Sequence, residues 1–197
     1  MADRLTSRAR DVVAVGRRLL ELEGPDALTM RRVADELGIR APSLYKHLPH
    51  KGALETAIIA EGFEEAAAAF ESAVDGDDDP LTAFVAAYRA FASAHPHVYR
   101  LMTERPLPRE HLPPGLEARA AAPLLRALGS APRARAAWAF IHGMTILELD
   151  ARFPSDEWTE PAWQEGIAAF RASGRTPLRT PEGADQPGRT GPPSSAD

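Results

Sequence analysis

The sequence predicts an all-α protein: an N-terminal three-helix unit containing a helix-turn-helix, joined to a larger helical domain. Three observations carry this reading. Apolar residues recur at helical spacing along most of the chain, and no stretch shows convincing strand alternation. Proline and glycine clusters cut that pattern into helix-sized segments. The segment Leu28–His47 reads as a helix, a glycine turn and a short second helix.

The elements follow in order. A first helix is expected from about Thr6 to Glu23, with Val12, Val15, Leu19 and Leu22 inward, and Gly24-Pro25 stops it. Thr29 is placed to N-cap the second helix, on which Val33, Ala34 and Leu37 share one face. Gly38 suits the left-handed residue that ends a helix, and Ile39 can pack back over that end. Pro42 suits the first turn of a third helix, where its missing N–H costs nothing. A long fourth helix is expected from Lys51 to about Val74, with Phe63, Ala66, Ala67, Phe70 and Val74 as its later stripe. Asp75–Pro80 looks superficially like a calcium loop. Pro80 stands where the glycine is required and Ala86 where the bidentate Glu is, so it reads as a solvated acidic turn.

A fifth helix spans about Leu81 to His95. His95-Pro96-His97 turns into a short helix containing Tyr99, Leu101 and Met102. Four prolines make Thr103–Pro114 a loop, and Leu116–Leu128 forms the next helix. The following helix, about Arg133–Phe153, is apolar on more than one side, which fits an element between a core and a partner. A last helix runs from Trp158 to Ala172, anchored by Trp163, Ile167 and Phe170. Residues 174–197 hold five prolines, four glycines and no aromatic, and are expected to be disordered. The expected domains are therefore 1–51, 52–173 and the tail 174–197.

Charge is uneven along the 197 residues. Residues 1–51 hold ten Lys/Arg against seven Asp/Glu, whereas the remainder holds thirteen against twenty-one. A basic head on an acidic body fits a protein that meets nucleic acid through one end. The two lysines of the chain, Lys46 and Lys51, both lie in or beside the motif. With no cysteine there are no disulfides or thiolate metal sites, and the six histidines are scattered. No nucleophile elbow, phosphate loop or HExxH pattern is present, so neither an enzyme nor a cofactor or metal is expected. The N-terminus lacks a signal core and no apolar run is long enough to span a bilayer, so a cytoplasmic protein without membrane contact is expected.

On a wheel of 3.6 residues per turn, Leu44 and Leu48 of the third helix share the anchoring face. Pro42 and Lys46 point the opposite way, flanked by Ser43 and Tyr45, with His47 near the inner edge. Laid in a major groove, such a helix sends Lys46 to base edges. Ser43, Tyr45 and His47 are better placed for phosphates, as is Lys51 at the start of the next helix. Spacing alone leaves open an ordinary helical hairpin with a solvated basic face.

The stretch from about Thr6 to Ile58 resembles the DNA-binding domain of the TetR family of bacterial repressors. The residues that carry the likeness are Thr29, Val33, Ala34, Leu37, Gly38, Pro42, Ser43, Leu44, Tyr45, His47, Lys51 and Leu54. The resemblance implies that Thr29, Arg31, Arg40, Ala41, Pro42, Ser43, Tyr45, Lys46, His47 and Lys51 lie at or near DNA. Ala41 departs from members that carry a polar base-reading side chain there, which leaves Arg40 or Lys46 to dominate specificity. Trp138-Ala139-Phe140-Ile141-His142-Gly143, followed by Leu147-Glu148, resembles the Trp-x3-His-Gly pattern of one class of TetR C-terminal domains. The likeness extends from about His95 to Phe153.

That second resemblance implies a helical domain that dimerises and often encloses a small molecule. Phe84, Tyr88, Phe91, Tyr99, Met102, Trp138 and His142 are the candidate lining of such a pocket, and the same side chains equally suit a core. His142 also suits a structural histidine hydrogen-bonded across helices. Gly143 would let another helix approach closely. Dimerisation through the last two helices is expected, because two recognition helices about 34–36 Å apart read successive major grooves. The function expected is that of a sequence-specific, ligand-responsive repressor binding a pseudo-palindromic operator as a homodimer, with an unknown small-molecule effector. The alternative is an architectural or nonspecific DNA binder.

Overall fold

The computed structural model describes residues 5–153 and 156–172, and every regular element among them is helical. The expected tail, 174–197, lies outside the described residues. Helix α1 spans Ser7–Glu23, α2 Met30–Glu36, α3 Ala41–Leu44, α4 Lys51–Val74 and α5 Pro80–Ala94. Then come α6 at Pro96–Thr103, α7 at Leu116–Leu128, α8 at Ala131–Leu149 and α9 at Asp156–Ala172. Single 3-10 turns occupy Pro25–Ala27 and Arg109–His111.

Thr6 caps α1 by accepting from the Ala9 amide, and Gly24, at φ +85°, ends it. The buried face is Ala9, Val12, Val13, Gly16, Leu19 and Leu20. Leu22, expected inward, is 72% exposed. The inward stripe is centred on Val12, Gly16 and Leu20, and Leu22 lies well round the helix from that line. Gly16 sets the distance to α4, since a methyl group there would sit 3.0 Å from a Leu54 methyl.

In α2 the Thr29 hydroxyl accepts from the Arg32 amide at 3.1 Å, as the sequence predicts. Gly38 stands at φ +64°, with Ile39 N–H bonded to Ala34 O and Gly38 N–H to Asp35 O. This paired closure turns the chain sharply into α3. The third helix is shorter than expected. Regular helix ends at Leu44, and Tyr45, Lys46 and His47 continue as turn, with His47 N–H bonded to Leu44 O. Pro49 accounts for the early stop, because it disfavours helical geometry at Leu48 and offers no donor of its own.

Helix α4 is the axis on which α1, α5, α6 and α7 pack. Its 24 residues run about 36 Å at 1.5 Å per residue. The cap is His50, whose Nδ1 accepts from the Ala53 amide at 3.0 Å. Helix α6 lies antiparallel to it: His95 faces Glu65, Val98 and Met102 pack on Gly62, and Arg105 reaches Glu55. A methyl group on Gly62 would stand 2.6 Å from the Met102 sulfur and 2.9 Å from Val98. The acidic turn is held by its own amides and by Arg126 and Arg171, which pair with Asp75 and Asp79. Asp77 accepts from the Asp79 amide, and Asp79 caps α5 through the Thr82 amide. No acidic or histidine group of metal-binding arrangement occurs among the described residues.

Helix α8 ends at Leu149, four residues before the expected Phe153. Ala151 takes φ +49°, and Arg152 N–H bonds to Leu147 O, so the chain turns away without a glycine to signal it. Arg133 donates to Leu128 O and Phe170 O, tying the ends of α7 and α9 together. The Phe140 ring lies against Gly166 and edge-on to Trp163. Gly143 has nothing within 4 Å of where a side chain would begin, so the close helix approach expected there is not made among the described residues.

Candidate nucleic-acid interface and effector region

Leu44 and Leu48 are buried in the hydrophobic core and hold the α3 turn by one edge. The opposite edge presents Pro42, Ser43, Tyr45, Lys46 and His47 to solvent, with Tyr45 49% exposed. Ala41 is half-buried against the core, and Arg40, the N-cap residue of α3, is exposed. Thr29 and Arg31 are exposed at the start of α2. Among the described residues Arg31, Arg40 and Lys46 form no ion pair, so their charges face water uncompensated. Arg32 differs. Hydrogen bonds to Glu23 and Glu36 offset its charge and raise its pKa far above the ordinary arginine value. Lys51 stands at the first position of α4, with its Nζ 3.6 Å from Glu55.

The seven effector-region candidates separate into two groups. Phe84, Tyr88, Phe91, Tyr99 and Met102 are buried. Phe84 and Tyr88 pack on Phe70, at centroid distances of 4.9 and 5.5 Å, and Phe91 meets the same ring edge-on. Trp138 and His142 lie at the rim, with Trp138 47% exposed and stacked on the His142 ring at 5.6 Å and 18°. A polar chain joins the groups. The Tyr88 and Tyr99 hydroxyls are 3.0 Å apart, and the Tyr99 hydroxyl is 2.7 Å from His142 Nδ1. Burial lowers the His142 pKa, which favours the neutral ring, and the tautomer sets whether Nδ1 accepts from the Tyr99 hydroxyl or donates to it. Burial also raises the pKa of both tyrosines, in Tyr88 against hydrogen bonds from Tyr99 and Trp138. Two clefts on the described surface lie away from these side chains: one of about 420 Å³ beside Leu81, Leu128 and Arg133, and one along residues 109–118.

Two contacts between head and body were not legible in the sequence. The Glu21 carboxylate of α1 accepts from the amides of His97 (3.3 Å) and Val98 (2.8 Å), capping α6 from another helix. Glu65 of α4 joins Arg17 of α1 to His95 at the head of α6. Burial opposes the Glu65 charge, but Arg17 and His95 outweigh it and lower the pKa. A Glu on a helix surface, such as Glu21 or Glu65, carries no signal of such long-range partners. Phe70, already assigned to the α4 stripe, is the aromatic at the centre of the cluster.

Residues 12–58 match the family described as bacterial regulatory proteins, tetR family, and residues 81–170 match the tetracyclin repressor-like C-terminal domain. The chain is 30% identical over 141 residues to the HTH-type transcriptional regulator Rv0681 of Mycobacterium tuberculosis, covering 66% of this chain and 65% of that protein. A structure of a protein with unknown function from Rhodococcus sp. RHA1 superposes with a TM-score of 0.67 at 24% identity, covering 86% of this chain and 96% of that one. The Streptomyces coelicolor TetR family protein ActR, solved in complex with (S)-DNPA, gives a TM-score of 0.58 at 19% identity over 84% of this chain and 97% of its own. At these identities the structures speak to the fold. Both family matches point one way and together take in more than half of the sequence. The chain belongs to the TetR family of transcriptional regulators, a DNA-binding and non-enzymatic family.

Proposed function

We propose that the protein is a ligand-responsive repressor that binds a pseudo-palindromic operator as a homodimer in the cytoplasm. The observation that carries this reading is the α3 edge. Two buried leucines brace a turn whose opposite side offers an uncompensated lysine and an exposed tyrosine. Lys46 reads base edges, with Arg40 beside it. Ser43, Tyr45, His47 and Lys51 hold phosphates, and Thr29, Arg31, Ala41 and Pro42 lie against the duplex. Residues 1–51 form the DNA-binding domain and 52–173 the effector-binding and dimerisation domain.

The second domain belongs to the Trp-x3-His-Gly class. Its dimer forms through α8 and α9, where Trp138, Leu147 and Trp158 are exposed. The effector enters among Phe84, Tyr88, Phe91, Tyr99, Met102, Trp138 and His142; ActR, of similar fold, is solved in complex with (S)-DNPA. These groups are closely packed, so entry must part the rings, beginning with Trp138 at the rim. A shift of 10²–10³-fold in DNA affinity requires about 3–4 kcal/mol of effector preference between the two states.

Selection of bound fragments from random or genomic DNA tests the reading. A recovered pseudo-palindrome supports it. Equal recovery of all sequences shows an architectural or nonspecific binder instead.

A further inference from the structure

Because α6 runs antiparallel to α4, the segment that follows it comes down beside the first turn of α4. There a single carboxylate oxygen, Glu55 Oε1, lies 3.6 Å from Lys51 Nζ and 3.5 Å from Arg105 Nη1. The first cation belongs to the head and the second to the body of the molecule. Lys51 and Glu55, one helical turn apart, partly offset each other, so Lys51 alone holds a phosphate weakly. Arg105 brings the trio to a net positive charge. Its side chain is 60% exposed, and Glu55 is its one ion-pair partner among the described residues. The neighbouring Glu104 is engaged by Arg100 and does not offset it.

We propose that Arg105 is a further DNA contact, made by the second domain, which holds a backbone phosphate next to the one held by Lys51. This rests on the DNA-binding reading above. An exposed ion pair at 3.5 Å is weak, so exchanging Glu55 for a phosphate costs little. Successive phosphates rise about 3.4 Å along the axis of one strand, so neighbouring ones are within reach of two cations that share one oxygen. The guanidinium fork also suits phosphate in a bidentate mode. Such a contact orients the protein without reading sequence. It also ties the end of α6 to DNA directly, besides the path through α4.

The test uses the full chain and a mixed-sequence duplex of about 30 bp, with affinity measured across a salt series. Arg105→Ala is expected to weaken binding at about 0.1 M salt by on the order of tenfold, and to lower the salt slope by about 0.9 for each Arg105 engaged. Arg105→Lys should retain most of the slope, and the melting temperature should hardly move. The loss should persist in a Glu55→Gln background. Unchanged affinity and slope in Arg105→Ala overturns the proposal. So does a loss that vanishes with Glu55→Gln, since Arg105 would then act only by drawing Glu55 off Lys51. If the unaltered protein binds no duplex at all, the DNA-binding reading falls together with this one. A wild-type protein that binds beside an indifferent Arg105→Ala sinks this proposal alone.

Discussion

The Tyr99 hydroxyl lies 2.7 Å from Nδ1 of His142, joining α6 to α8 across the interior of the second domain. The same hydroxyl is 3.0 Å from that of Tyr88, so one oxygen holds three helices in register. Tyr99→Phe keeps the ring and takes the Tyr99 hydroxyl away from both Tyr88, which retains Trp138, and His142 Nδ1. It should cost about 1–3 kcal/mol, read as a lower denaturation midpoint with an unchanged slope. If stability is unaffected, water already satisfies these groups and the relay does not brace the helices.

The His142 ring should also leave a signature in pH. Its folded pKa lies below the ordinary value of 6.5, chiefly because burial disfavours the charged form. Between the two values the unfolded chain binds more protons than the folded one, so stability rises with pH there. The contribution is complete above about pH 6.5 and is lost as pH falls toward the folded value. Comparing His142→Asn with the parent protein over pH 5–8 isolates it. The parent should lose stability on acidification more steeply than the variant, and parallel curves would remove this histidine from the account.

Gly38 stands at φ +64° in open space, so an added methyl group meets no neighbour and acts only through the backbone. Gly38→Ala should cost about 1–2 kcal/mol through the left-handed conformation. The α3 edge depends on that turn, and DNA affinity should fall with the melting temperature. Full affinity in a destabilised variant would show that α3 keeps its direction without the turn.

The two lysines should part by readout. Lys46→Ala should cost about 1–3 kcal/mol and loosen preference at particular base pairs. Lys51→Ala should weaken all sequences alike and flatten the salt dependence. A changed recognition motif with Lys51→Ala, beside an unchanged one with Lys46→Ala, reverses the assignment.

Glu21→Gln weakens the cap that α1 places on α6. A loss of about 1 kcal/mol is expected in thermal unfolding. The more telling measurement is DNA affinity with and without effector, since α6 also carries Tyr99. The gap between the two should narrow, and an undiminished gap would mean that head and body communicate by another route.

Local chemistry explains what the sequence made legible. Thr29, Gly38 and Pro42 sit at fixed offsets, and each has a conformational reason for its place, so the helix-turn-helix reads directly. The bounds of α4 and α7 follow equally from capping and from proline and glycine punctuation. What escaped is of another kind. The short α3 depends on Pro49, seven residues beyond Pro42, competing with the helical pattern at Tyr45–Leu48. Ala151 ends α8 in a conformation alanine rarely adopts, imposed by the surrounding chain. Leu22 shows that a wheel can be drawn through more than one stripe when a helix is apolar over a broad arc. The Glu21–Val98 and Glu55–Arg105 contacts join residues far apart in sequence, and periodicity holds no information about such pairs.

The missing side chain at position 62 has a genetic consequence. Met102 and Val98 already fill the space a methyl group would need, so even alanine displaces these side chains and strains the seam between α6 and α4. If effector binding works by loosening that same seam, a Gly62→Ala allele would imitate the occupied protein with nothing bound. Colonies selected for permanently derepressed target genes should then carry lesions at Gly62, far from any residue that touches an operator.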